Sequence, residues 1–465
     1  MIDLTPRAVV GELDRFIIGQ QEAKKTIAVA LCNRERRRRV SVDVGKRIVP
    51  KNILLSGPTG VGKTEIARRM ADIIDAPFLK VDATKFTEVG YVGRDVESIV
   101  HDLVDVSVNK LYQSSLHEMR GKAERKAVER IINYLCHQMN PKGKKQSIKT
   151  QKAAAGVSPT ECPAEGARPR AQTRRRVAEL LQKNELEEQL IEIEVETDFE
   201  GGGPLFSPIR GLDDIEGILG EFDKNLRQYS IEQRRRTVSV KEARRILARE
   251  EANKLIDFDQ LVEEGAVLSE ESAVVFIDEI DKLISPRMEM GRDVSGEGVQ
   301  RDLLPLVEGT TVITRYGAVN TDHILFVAAG TFSHGKPADL LPELQSRFPL
   351  RVEMDSLREE DLERVLVEPE DSLIKQYQAL LETEGVRLTL AEEGVHEVAH
   401  LAALMNEKMQ DIGARRLHAV VEKVLEEINF TAPERRGDEV VVDAEYVSQR
   451  ARDLVDLDNT GRYIL

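Results

Sequence analysis

Gly57-Pro58-Thr59-Gly60-Val61-Gly62-Lys63-Thr64 decides the fold. The octapeptide matches G-x-x-x-x-G-K-[ST] in full, and each part has a chemical reason. The glycines let backbone N–H groups turn inward around phosphate oxygens, and the helix that follows points its positive end at them. Lys63 reaches the β- and γ-phosphates of a nucleotide, and Thr64 offers its hydroxyl to Mg²⁺. The flanks agree. Ile53-Leu54-Leu55 is an apolar run ending in turn residues, which predicts a buried strand. Ile66, Met70, Ile73 and Ile74 then fall on one helical face, and Phe78 to Asp82 reads as a second strand. Strand, helix, strand within about 30 residues is a βαβ unit, so the core is α/β with a parallel sheet.

Further along, Val274-Val275-Phe276-Ile277 ends in Asp278-Glu279. Acids at the C-terminal end of a parallel strand face the phosphate site. Asp278 is expected in the Mg²⁺ shell, and Glu279 is expected to polarise an attacking water as general base. Together the two motifs define a nucleoside triphosphatase without naming what it works on. Ile324 to Ala328 predicts another buried strand.

Length and composition bound the rest. The 465 residues suggest about three domains. A hydrophobic fraction of 41% and a charged fraction of 32% supply a large core and exclude a wholly disordered chain. The balance of 82 acidic against 67 basic residues is a net charge of −15, which disfavours nucleic acid as a bulk partner. Cys32, Cys136 and Cys162 are far apart, which excludes a disulfide framework and a cysteine zinc site and suits a reducing compartment. No apolar stretch approaches a membrane span, and the first residues lack a signal-peptide core. A cytoplasmic location is expected.

The α/β pattern is interrupted. The expected organisation is a first part of the core at 1–109, an insertion at 110–258, the rest of the core at 259–350, and a mostly helical domain at 351–465. Within the insertion, residues 141–176 carry ten Lys or Arg against two Glu and read as a flexible basic loop. Ile191 to Val195 alternates as a strand, and 240–256 reads as a helix. Leu417, Val420, Val421, Val424, Leu425 and Ile428 mark one strongly amphipathic helix near the C-terminus.

Phe16-Ile17-Ile18-Gly19-Gln20, the phosphate loop, Gly90-Tyr91-Val92-Gly93, FIDEID at 276–281, PELQSRFP at 342–349, GARRLH at 413–418 and the tail Arg462-Tyr463-Ile464-Leu465 follow one another along the chain. In these strings the chain resembles the HslU (ClpY) family, the AAA+ unfoldases of the HslUV protease. The resemblance implies an AAA+ P-loop core, a mostly helical intermediate domain at the insertion and a helical small domain. It implies ATP-driven unfolding and translocation of protein substrates by a homohexamer that activates an HslV-type peptidase, with ATP and Mg²⁺ as cofactors. It also implies roles. Ile18 packs on the adenine; Gly60, Val61, Gly62, Lys63, Thr64 and Glu65 wrap the phosphates. Arg347 is a finger acting on the neighbouring subunit, with Glu343 near the same site, and Arg415 senses nucleotide from the small domain. Tyr91 and Val92 line the substrate pore, where an aromatic between glycines grips polypeptide without sequence demands. Tyr463, Ile464 and Leu465 dock into the peptidase. The competing expectations are a ClpX-like unfoldase, whose four-cysteine module and Ile-Gly-Phe loop are missing here, and a DNA-translocating motor using the arginines at 34 and 36–39.

Overall fold

Three residues, Ile53, Leu54 and Leu55, are almost fully buried and set the centre of the principal sheet. A strand buried on both faces needs helices above and below it, which only a parallel sheet with crossover connections supplies. The computed structural model describes residues 5–45, 47–48, 51–87, 94–139, 167–196, 233–284, 294–333, 335–409 and 411–455. In it the strands are β1 (Ile53–Ser56), β2 (Phe78–Asp82), β3 (Leu190–Glu196), β4 (Gln233–Ser239), β5 (Val274–Asp278), β6 (Thr311–Thr314), β7 (Gly317–Asn320), β8 (Leu325–Gly330), β9 (Leu350–Glu353), β10 (Arg387–Leu390) and β11 (Glu439–Val442).

The principal sheet runs β2-β5-β8-β1-β9, with every neighbour parallel. Its register decides the function. Ser56 lies beside Gly330 and Glu353, Ile277 beside Ala328, and Asp82 beside Asp278. The ends of all five strands therefore share one edge. Helix Lys63–Ile73 packs on the sheet through Ile66, Ala67, Met70 and Ala71, and helix Gln21–Arg39 through Ala23, Ile27, Ala28 and Leu31. Each of the larger ones, Ile27, Leu31, Ile66 and Met70, contributes roughly 1.5–3 kcal/mol of transfer free energy.

Contacts divide the chain into Met1–Lys110 with Val262–Leu465, and Leu111–Leu261. A 42-residue helix, Ser98–Met139, carries the chain across the division. Leu111–Leu261 has a core of its own. Ala127, Ile131 and Leu135 meet Val177, Leu181, Val240 and Leu247, and they cover one face of the antiparallel pair β3–β4 through Ile191 and Ile193. The alternating Glu192 and Glu194 face outward, and Glu194 pairs with Arg235 across the ladder at 3.1 Å. Strand β4, QRRRTVS, is hidden from a hydrophobicity reading because arginine dominates it; cross-strand charge holds it instead. The basic stretch expected to be flexible over 141–176 is helical at its end, since 167–176 belong to helix Ala167–Gln182. Ala, Arg and Gln are good helix formers, and Pro169 sits in the first turn, where its missing N–H costs nothing. Residues 140–166 lie outside the described residues.

Beyond residue 351 five described helices share one core, with all six apolar residues of the expected stripe buried on helix Arg415–Thr431. The pair β10–β11 and the hairpin β6–β7 are additions that hydrophobic periodicity does not reveal. Each is four residues long, too short for a periodic signal. No helix among the described residues is long and apolar enough to cross a membrane.

One buried amide ties the start of β1 to β8 and to the end of helix Pro342–Arg347. Asn52, 5% exposed, donates through Nδ2 to the Arg347 carbonyl at 3.1 Å and accepts from the Phe326 N–H through Oδ1 at 3.1 Å. Asn52→Leu strands both backbone groups, and we expect a loss of about 1–3 kcal/mol in unfolding free energy, read as a lower urea midpoint at unchanged slope.

Candidate functional site

Gly57, Gly60 and Gly62 have φ of 150°, 77° and 96°, conformations that side chains rarely adopt. The first two also have no room for a side chain. A Cβ on Gly57 would lie 2.5 Å from the Met354 carbonyl oxygen, and one on Gly60 1.9 Å from that of Ile412. Such a backbone lets the loop turn N–H groups inward, and it delivers the chain into helix Lys63–Ile73, whose N-terminus suits an anion. Lys63 is 8% exposed, and its ammonium donates to the Gly57 and Pro58 carbonyls, each at 2.7 Å. Burial pushes its pKa below the usual lysine value and Arg415 adds to this, while Asp278 and Asp281 pull it back. Both acids and Arg415 are therefore close enough to act on Lys63.

Asp278 ends β5 as expected. Its Oδ2 takes the Lys80 ammonium at 2.8 Å, and the same ammonium lies 3.5 Å from Thr64 Oγ1. Two hard oxygens from different elements converge on one cation, so Thr64 and Asp278 fit the donor set of Mg²⁺. Glu279 follows with φ 56° and ψ 34°, left-handed for a non-glycine residue, its N–H held by Asp278 Oδ1 at 3.1 Å. That backbone costs of order 1–3 kcal/mol and turns the exposed carboxylate away from the strand direction. Thr331, beyond β8, donates to Asp281 Oδ2 at 2.9 Å, and the Phe332 N–H meets the same oxygen at 3.2 Å. Lys80 and Asp281 are the members that motif reading passed over. The signals were a lone Lys in apolar β2 and the third acid of FIDEID.

The C-terminal helices close the site from the other side. The Ala414 N–H donates to the Gly60 carbonyl at 3.1 Å, and a Cβ on Gly413 would lie 2.8 Å from Gly60 C and O and from the Thr59 carbonyl oxygen. Arg415, exposed, opens the long helix at this contact. Ile18 is 4% exposed and begins the turn Ile18-Gly19-Gln20, which is tied to the same part of the chain. Gln20 exchanges two hydrogen bonds with the Asp355 backbone at 2.8 and 3.1 Å, while Arg15 reaches Glu370 and Arg69 reaches Asp371, each at 2.6 Å. Val61 is buried, and Glu65 is held by Arg69 at 2.6 Å.

Arg347 stands apart from this group. It ends helix Pro342–Arg347, is half exposed, and binds Glu308 through Nε and Nη2 at 2.9 and 2.7 Å. Glu343 is exposed in the first turn of the same helix. Tyr91 and Val92, and Tyr463, Ile464 and Leu465, lie outside the described residues. Of the arginines considered for DNA, Arg34 and Arg37 are buried, while Arg36, Arg38 and Arg39 are exposed. Arg34 Nη2 donates to the carbonyls of Glu271, Ala273 and His323, Arg37 pairs with Glu271 at 3.0 Å, and Arg38 holds Glu35 and the Ser272 hydroxyl.

Comparison with known proteins matches the chain to two family descriptions. The ATPase family associated with various cellular activities (AAA) matches residues 53–155, and the AAA domain (Cdc48 subfamily) matches 219–351. Among similar proteins described as "ATP-dependent protease ATPase subunit HslU", that of Thermotoga petrophila is 47% identical, covering 100% of this chain and 99% of its own. That of Nitrobacter winogradskyi is 45% identical over 100% of both chains, and that of Persephonella marina 44% over 100% and 99%.

The Gly60–Gly413 approach makes its own forecast. Gly413→Ala must push the phosphate loop away or open the turn. We expect nucleotide affinity to fall at least about tenfold, as for a 1.4 kcal/mol loss, measured by titration with a fluorescent ATP analogue.

Proposed function

The chain belongs to the HslU family of ATP-dependent protease ATPase subunits, and on that premise we propose that it is a ring-forming unfoldase that feeds protein substrates to an HslV-type peptidase. It is an ATPase with an AAA+ core, and proteolysis falls to a partner. The observation that carries the ring is what each group engages within one subunit: Lys63 bonds the phosphate loop and feels Asp278 and Arg415, while Arg347 is taken by Glu308. A finger so placed serves a neighbour's γ-phosphate more readily than its own.

The residues divide the work. The loop N–H groups and Lys63 bind and orient the phosphates, and Ile18 covers the base. Mg²⁺, when bound, offsets phosphate charge and is held by Thr64 and Asp278. Glu279 takes a proton from the water that attacks the γ-phosphorus, so that ADP and phosphate leave. Lys63 and the neighbour's Arg347 neutralise charge that grows on the transferred group, with Glu343 beside that Arg347 at the intersubunit site. Asp281 and Thr331 form a contact at the Mg²⁺ edge through which nucleotide state reaches β8. Arg415 carries nucleotide state to the C-terminal helices. Tyr91 and Val92 are assigned to the pore and Tyr463, Ile464 and Leu465 to peptidase docking. A cytoplasmic location fits a chain with three dispersed cysteines.

Glu279→Gln is expected to bind ATP normally and to hydrolyse it about 10²-fold or more slowly; phosphate release at a rate within a few-fold of the parent removes Glu279 as base. Deleting residues 459–465 is expected to leave ATPase activity and oligomeric mass unchanged while abolishing activation of an HslV-type peptidase on a fluorogenic peptide. Full activation by the truncated chain returns the tail to an ordinary solvated end. Failure of the intact chain to drive ATP-dependent degradation of a folded substrate with that peptidase defeats the reading as a whole.

A further inference from the structure

Helix Gln21–Arg39 has a second face, turned away from the core, and it borders a cavity of about 600 Å³. The cavity lies at the starts of β8 and β9, marked by Leu325 and Leu350, the opposite edge of the sheet from the phosphate loop. Val29, Val40 and Ile48 give it apolar walls and are 47%, 42% and 41% exposed. Lys25, Arg36 and Lys51 give it a cationic rim.

Arg34 also lines the cavity. It is 5% exposed, and only Nη2 has acceptors, the carbonyls of Glu271 at 3.2 Å, Ala273 at 2.9 Å and His323 at 2.9 Å. Its Nε and Nη1 find no hydrogen-bond partner among the described residues. The nearby Glu271 carboxylate is taken by Arg37. Burial first, then Arg38 and Arg37, push the Arg34 guanidinium down to about 9. A buried cation hydrogen-bonded only to carbonyls beneath an apolar wall favours an occupant that brings an apolar group together with negative charge.

The chain carries such a group elsewhere. Phe430 is 84% exposed, more than any other large hydrophobic side chain described. It stands near the end of helix Arg415–Thr431, whose opposite face is buried. Glu426 and Glu427 lie one turn before it on the same side, and Glu434 follows in the next turn. Glu426 and Glu427 are engaged by Lys423 at 2.7 Å and Arg450 at 3.4 Å, exposed pairs of little net strength that exchange partners at small cost. Exposure of this degree means that Phe430 does not fill the cavity of its own chain. An apolar knob and a complementary pocket on different surfaces of one chain define a heterologous contact, which closes into a ring when its rotation closes.

We propose that Phe430 of one subunit, with its acidic flank, inserts into the Val29–Val40–Ile48 cavity of the next. The contact rests on the ring reading and gives it a specific interface. An aromatic side chain buried there is the type of anchor that dominates interface energetics.

The test places photoreactive benzoylphenylalanine at position 430 in the full chain with ATP, followed by irradiation and mass-spectrometric mapping. Cross-links between subunits should join residue 430 to peptides containing 25–40 or 48–51. Separately, Phe430→Lys and Val29→Lys should each raise the subunit concentration for half-assembly roughly tenfold or more, the size of an anchor's loss, whereas Phe430→Leu should nearly retain assembly. Both positions are exposed, so the thermal midpoint of the isolated subunit should not move. Intersubunit cross-links that map elsewhere, or unchanged assembly of Phe430→Lys, overturn the contact and leave the ring standing. An unmodified chain that stays monomeric with ATP at every concentration overturns the ring reading itself, and the contact with it.

Discussion

Backbone touches backbone where Gly60 meets Gly413, and most of the site depends on that approach. The Ala414 N–H bonds the Gly60 carbonyl, and neither glycine leaves space for one added carbon. The phosphate loop is thereby one wall of a joint whose other wall is the start of helix Arg415–Thr431. Nucleotide phosphates fill the loop, so their presence acts on both walls together. The side-chain pairs Arg15–Glu370 and Arg69–Asp371 lie at the surface, with Arg69 half-buried, and are individually weak. They orient the C-terminal helices, but the glycine contact sets how near those helices can come.

Much of this was legible because the chemistry demands local patterns. A phosphate loop cannot be built without glycine at defined steps, so the loop, β1 and the following helix announce themselves together. Asp278 and Glu279 were legible because a strand buried on both faces has few reasons to end in paired acids. The stripe Leu417 to Ile428 was legible because a helix must bury one face. What stayed hidden was held by partners distant in sequence. Lys80 is meaningful only once β2 and β5 pair in register, which sets it near Asp278 and Thr64. Asp281 acquires its role from Thr331, 50 residues away. Strand β4 is arginine-rich and exists because β3 lies beside it. The helix at 167–176 hides from composition because its charge density resembles that of a flexible loop, although arginine favours helix.

The basic cluster after Leu31 shows how composition misleads about partners. Five arginines in six residues suggest a surface for phosphate. In the fold, Arg34 caps three carbonyls, and Arg37 and Arg38 fasten the segment before β5. Part of the charge that suggests a recognition surface is internal bracing, and the exposed Arg36 frames a pocket with apolar walls.

Asn52 has a consequence for a ring. It precedes β1, while the phosphate loop follows it, and the four residues between span about 13 Å of extended chain. At the near end, the Asn52 amide moors the carbonyl of Arg347. On the proposed assignment, each subunit's own nucleotide pocket and the arginine it lends to its neighbour are mounted on the two ends of one short, fully packed strut. Such a strut transmits displacement with little loss, so a shift of the phosphate loop in one subunit is felt as a change of reach at the next. The ring would then fire as a mechanical series, with its stiffness set by a single amide that never touches ATP.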